Sequence, residues 1–161
     1  MEIALIAHDT KNELITQFCI AYSAILSKHH LCASSVTGKF IEDATNLNVA
    51  KLFSYGTGVE QILSRVACNE IDLVIFFRDT VHEEAFTTAE NELFRNCDTQ
   101  NIPIATNLAT AEILIRALEA GDLDWREILN PLSDYNRRRR GLPSANTESK
   151  PARAGRRSKR Q

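Results

Sequence analysis

Residues 71–77 read Ile-Asp-Leu-Val-Ile-Phe-Phe, an almost unbroken apolar run too short for a helix. A strand covered on one face alternates apolar and polar residues. A run without alternation belongs to a strand buried on both faces, which is the habit of parallel sheets. The rest of the chain fits such a sheet. Residues 2–7 (EIALIA), 31–34, 49–53 and 102–105 are short apolar runs that predict four more strands. Between them, apolar residues recur at helical spacing, as at Leu14, Phe18, Ala21, Tyr22, Ile25 and Leu26 across 12–29. Further helices are expected over 39–45, 59–68, 89–99, 109–120 and 124–129, with Gly38 ending the second strand and Gly121 closing the helix over 109–120. Strands joined by helices pair in parallel through right-handed crossovers. The pattern therefore predicts an α/β fold, a doubly wound five-stranded parallel sheet in a single domain over residues 1–131.

Ligands of doubly wound sheets sit beyond the carboxyl ends of the strands. The polar residues in those places are His8-Asp9, Ser34-Ser35, Ser54, Arg78-Asp79 and Thr106-Asn107. Polar residues in and around these loops also admit plainer roles. Asp9 suits a helix cap, Glu60 suits the first turn of a helix through its dipole, and His82 suits a solvated loop.

The net charge of −2 conceals two unlike parts. Residues 132–161 hold ten Lys or Arg and only two acids, Asp134 and Glu148, leaving nine basic and nineteen acidic residues in 1–131. The segment 132–161 has almost no large apolar residues, so it is expected to be a disordered basic tail. Its charge makes nonspecific contact with a polyanion an expected partner interaction, through salt-sensitive phosphate pairs. The four cysteines, Cys19, Cys32, Cys68 and Cys97, are widely spaced and form no metal-ligand pair. They read as reduced thiols of a cytoplasmic protein. No apolar run approaches the roughly 20 residues of a membrane span. The start, MEIALIAHDTK, reads as a strand and not as a signal peptide.

Several stretches carry a more specific message: IALIAHD at 3–9, Thr37-Gly38 followed by Ala44-Thr45, IDLVIFFRD at 71–79, and IPIATNLATAEILIRAL at 102–118. Together, in this order and spacing, they resemble methylglyoxal synthase from Met1 to about Pro131. The resemblance implies a strand order of 3-2-1-4-5 and a homo-oligomer, usually a hexamer. It implies the conversion of dihydroxyacetone phosphate to methylglyoxal and phosphate without a metal or organic cofactor. A small phosphorylated metabolite is then the expected ligand. Related domains serve instead as regulatory binding modules.

The resemblance also assigns residues. Glu60, Asp9 and Asp79 fall on the catalytic carboxylates, with Glu60 in the place of the aspartate base. His8, Lys11, Asn12, Ser34, Ser35, Val36, Thr37, Gly38, Ser54, Tyr55 and Gly56 fall on substrate-binding positions. The departures matter chemically. Asn12 stands where the family has a phosphate-binding lysine, although Lys11 is adjacent. Val36 replaces a hydroxyl residue, and Tyr55 replaces a glycine. Phe86 and Ala89 stand where a histidine and an aspartate are usual. The expected consequence is impaired turnover, or in the limit a regulatory module that binds a phosphometabolite without converting it.

Overall fold

The structure is a computed structural model and describes residues 1–52, 59–82 and 87–143. Five parallel strands form one sheet in the order β3-β2-β1-β4-β5. They are β1 (Glu2–Ala7), β2 (His30–Ser34), β3 (Val49–Leu52), β4 (Leu73–Phe77) and β5 (Ile104–Ala105). The central pair is β1 with β4, in register from Ile3 opposite Leu73 to Ala7 opposite Phe77. Alternation along β1 divides the core. Ile3 and Leu5 point into a cluster with Ile15, Phe18, Ile41 and Ile115, whereas Ala4 and Ile6 point into one with Ile62, Val66, Leu93 and Cys97. All five residues of β4 are buried, as the unbroken run predicts.

The helices are α1 (Asn12–Ala21), α2 (Ser23–Leu26), α3 (Ser35–Ala44), α4 (Val59–Ala67), α5 (Thr88–Gln100), α6 (Leu108–Ala120), α7 (Arg126–Leu129) and α8 (Asp134–Arg139). The stretch expected as one helix over 12–29 breaks at Tyr22, and the turn swings Ile25 and Leu26 into the core. Gly38 does not end β2. Ser34 does, by capping α3 with a side chain that accepts the Thr37 N–H. Gly38 lies inside α3 for a packing reason: a Cβ there would come within 2.7 Å of Lys51 Cγ on β3. Strand β5 is shorter than expected because Pro103 has no N–H to give, although its carbonyl still accepts from Val74. Cys19, Cys32 and Cys97 are buried and Cys68 is exposed, all unpaired. Burial pushes the Cys19 and Cys97 thiols up to about 12 and that of Cys32 up to about 11.

Composition predicts that regular structure ends at Pro131 and that a disordered tail follows; instead α8 occupies the start of the basic segment. Ser133 caps it, and Asn136 Nδ2 donates to the carbonyls of Glu127, Ile128 and Asn130. These bonds tie α8 to the end of α7. A chain ending at Pro143 should therefore be more stable than one ending at Pro131, by about 1–3 kcal/mol at roughly 1 kcal/mol per net hydrogen bond. Urea midpoints of the two truncations measure the difference, and equal midpoints would show that α8 adds nothing.

At the amino-terminal edge of the sheet, His29 lies beside the chain's first amine, with Nδ1 3.4 Å from it. Burial, then the amine, Lys28 and His30, lower its pKa to about 4. The folded value lies below the unfolded one of about 6.5. The unfolded chain then binds the extra proton between those values, so stability falls as pH drops from about 6.5 to about 4. Replacing His29 by Gln should flatten urea midpoints measured across that window. An unchanged slope in the variant would remove His29 as the cause.

Candidate active site

The carboxyl ends of β1 and β4 lie side by side, and the chain continues past them as His8-Asp9 and Arg78-Asp79. The His8 N–H donates to the Phe77 carbonyl at 3.1 Å, carrying the pairing one residue further. The two segments then lock through side chains. The Asp79 N–H donates to His8 Nδ1 at 2.9 Å. Buried Asp79 accepts from Thr10 Oγ1 at 2.6 Å and His82 Nδ1 at 2.7 Å on one oxygen. Its other oxygen accepts from the N–H groups of Val81 and His82. The Thr10 hydroxyl and then the His82 donors hold the Asp79 carboxyl well below the usual carboxylate range.

His8 is gripped from its other side too. Nε2 lies 2.6 Å from Glu90 Oε1. The edge of the His8 ring meets Phe76 at 5.2 Å between centroids. Glu90 is only 2% exposed, and its second oxygen accepts the Thr87 N–H at 2.7 Å. Thr87 caps α5 in return by accepting the Glu90 N–H. Burial works to raise the Glu90 carboxyl, but the Thr87 N–H and His8 outweigh it, so its pKa is lowered.

A second chain of bonds joins the ends of β1 and β2. Ser34 Oγ donates to Thr37 Oγ1 at 3.1 Å, and Thr37 Oγ1 donates to Asn12 Oδ1 at 2.9 Å. Asn12 Nδ2 then reaches the Asp9 carbonyl at 3.3 Å. Asn12 and Thr37 are buried, so both amide ends of Asn12 serve the protein. Lys11 is half-buried at the end of a 3₁₀ turn that begins with exposed Asp9. Ser35 opens α3, and Val36 beside it is exposed. Glu60 is exposed in the first turn of α4, whose inner face is Val59, Ile62 and Val66. Ser54, Tyr55, Gly56 and Phe86 lie outside the described residues. Asn107, another strand-end residue, caps α6 through the Thr110 N–H.

The structure thus brings together His8, Asp79, Thr10, His82 and Glu90, and links Asn12, Thr37 and Ser34. His82, expected as a solvated loop residue, is 74% exposed at its side chain yet bonded to Asp79. Thr10 and Glu90 were not among the sequence-derived site residues. For Glu90 a local signal existed, since Thr87-x-x-Glu90 is a capping box. Among the described residues, no group of three or more His, Cys, Asp or Glu is arranged to hold a metal ion. No helix among them is long and apolar enough to cross a membrane.

Known proteins are similar to this chain in sequence and in fold. Residues 15–106 match the family model described as MGS-like domain. Methylglyoxal synthase of Caldicellulosiruptor saccharolyticus is 52% identical over 138 residues, covering 85% of this chain and 98% of that protein. Methylglyoxal synthase of Clostridioides difficile is 49% identical, over 80% of this chain and 94% of its own length. The crystal structure of methylglyoxal synthase from Elizabethkingia anophelis NUHP1 superposes with a TM-score of 0.64 at 33% identity, covering 71% of this chain and 76% of that one. A matching family model, about half the residues in common and a superposable fold have one consistent meaning: this chain belongs to the methylglyoxal synthase family.

Proposed function

We propose that this chain is a slow carbon–oxygen lyase acting on dihydroxyacetone phosphate, with release of methylglyoxal and inorganic phosphate. The observation that supports it is the braced rim at the ends of β1 and β4, where exposed Asp9 stands in the chain between His8 and Thr10, the two residues bonded to buried Asp79. In the reaction, a base removes a proton from the hydroxymethyl carbon beside the carbonyl. The electron pair forms the enediolate double bond, and donors at the carbonyl oxygen stabilise the charge. The enediolate hydroxyl then gives up its proton as its oxygen becomes the aldehyde carbonyl, the double bond shifts to the phosphate-bearing carbon, and the carbon–oxygen bond to phosphate breaks with its electrons leaving on phosphate. The resulting enol takes a proton at its methylene carbon to become methylglyoxal. No oxidant, reductant or water is consumed.

A base must be reachable and basic. Asp79 is neither, since its oxygens are occupied and its carboxyl is held acidic. Both ring nitrogens of His8 have protein partners as well. Exposed Glu60 then takes the base role in this reading, with Asp9 beside the enediolate. Lys11 serves the phosphate in this reading, helped by backbone donors at the start of α3, while the Ser34 and Thr37 hydroxyls, donating to Thr37 and to Asn12, hold that start in place. A second reading, a regulatory module that binds a phosphometabolite, is favoured by Asn12, whose amide replaces a cation and is itself occupied. Assembly as a homohexamer and polyanion contact through the basic segment belong to the same proposal.

Binding separates from turnover by a thermal-shift titration. Inorganic phosphate and dihydroxyacetone phosphate should each raise the melting temperature, since a ligand at a hundred times its Kd adds about 2.7 kcal/mol. No shift with either, where a relative with the usual residues responds, would count against a retained phosphate site.

A further inference from the structure

Glu90 lies in none of the motifs that mark the family resemblance, and its contact with His8 joins residues 82 positions apart. Its geometry is restrictive. The Asp79 N–H points at His8 Nδ1, so that nitrogen is an acceptor and the ring hydrogen sits on Nε2. That hydrogen faces Glu90 Oε1. Glu90 Oε2 simultaneously accepts the Thr87 N–H. Two donors therefore converge on one buried side chain, and only a carboxylate offers an acceptor oxygen to each. Glutamine has one acceptor oxygen and would turn an NH₂ group toward the other donor. Helix capping alone needs just one of these two oxygens.

We infer that Glu90 is a positioning residue for triose-phosphate binding: through Nε2 it fixes the His8 ring in one tautomer and one orientation, and the ring in turn holds the Asp79 N–H and with it the rim at the ends of β1 and β4. The inference rests on the lyase reading above for the identity of the ligand, and on the hydrogen-bond geometry alone for the tautomer. Glu90 touches no reacting atom. It acts through His8, and it couples the start of α5 to the rim formed by His8 and Asp79. A change in Glu90 should therefore be felt as weaker binding and not as a lost proton-transfer step.

The test uses the full chain with ¹⁵N-labelled histidine, comparing the parent, Glu90→Gln and Thr87→Ala. Thr87→Ala removes the reciprocal cap but keeps the backbone N–H and the His8 contact, so it reports a purely structural role. In the parent at pH 8, His8 should show a protonated Nε2 and an unprotonated Nδ1. Glu90→Gln should give mixed or exchange-broadened ring signals, and Thr87→Ala should keep the parental pattern. The KM for dihydroxyacetone phosphate should rise about tenfold or more in Glu90→Gln, as for loss of a charged hydrogen bond, with kcat changed less than threefold. Thr87→Ala should leave KM within twofold. Parental ring signals in Glu90→Gln, or equal KM changes in both variants, would overturn the proposal. If the parent shows no turnover, the Kd for inorganic phosphate replaces KM, and an equal Kd in the parent and Glu90→Gln overturns it. The missing turnover then counts against the lyase reading separately.

Discussion

Replacing Arg126 by Met should destabilise the domain by about 3–5 kcal/mol, the range for removing one partner from a buried charged network. Arg126 is 0% exposed and joins three elements. Nη1 donates to the Gln100 carbonyl at the end of α5, and Nη2 donates to Asn69 Oδ1 after α4 and to the Ile71 carbonyl before β4. Nε stands 3.7 Å from Asp72 Oδ1, an ion pair too long for a hydrogen bond. Asp72 in turn accepts from the Glu2 N–H and from Asn130. Methionine fills much of the same volume but supplies none of these donors, so the carbonyls lose their partners in a dry site. In a domain of this length, each kcal/mol moves the melting temperature by about 2–4 °C, so a drop near 10 °C or more is expected. Arg126→Lys should recover only part of this, because an ammonium cannot span the fork of partners. A methionine variant within about 1 kcal/mol of the parent in urea would refute this account of the amino-terminal edge of the sheet.

Glu60→Gln should remove most of the lyase activity while leaving the fold intact. Glu60 is exposed and outside the core face of α4, so its effect on stability should stay within about 0.5 kcal/mol. Loss of a general base costs about 10²–10⁴ in rate. Glu60→Asp alone should restore little to a site whose histidine position holds Phe86. Glu60→Asp together with Phe86→His should gain more than the two single changes combined, because groups acting as a unit are not additive. Adding Asn12→Lys carries a cost, since it severs the bonds of Asn12 to Thr37 and to the Asp9 carbonyl. Initial rates of methylglyoxal formation decide this. A Glu60→Gln variant as active as its parent would assign the base elsewhere, with Asp9 next in line.

The sheet was legible because periodicity is a local property. The unbroken run before Arg78 and the alternating helices leave few topologies, and the family resemblance supplied the strand order that the structure has. Element ends were less legible. Gly38 looks like a breaker, yet its place is set by Lys51 on a neighbouring strand, a contact that no local window contains. Helix α8 was hidden by composition, although Ser133, Asp134 and the arginines after Asn136 form a cap and a charge order that suit a helix dipole. At the site, His8, Asp9 and Asp79 could be named from their position after strands. Glu90 could not, because its local pattern reads as a helix cap and its second partner lies on another strand's end.

The most direct test of the proposed activity is ³¹P NMR of dihydroxyacetone phosphate incubated with the full chain, with methylglyoxal assayed in parallel and the uncatalysed background subtracted. The account predicts that inorganic phosphate and methylglyoxal appear in equal amounts. Their rate should be at least about a hundredfold below that of a relative carrying the usual lysine, histidine and aspartates, the size of loss seen when one such group is missing. Phosphate release no faster than in buffer, or a rate equal to that relative's, would contradict it.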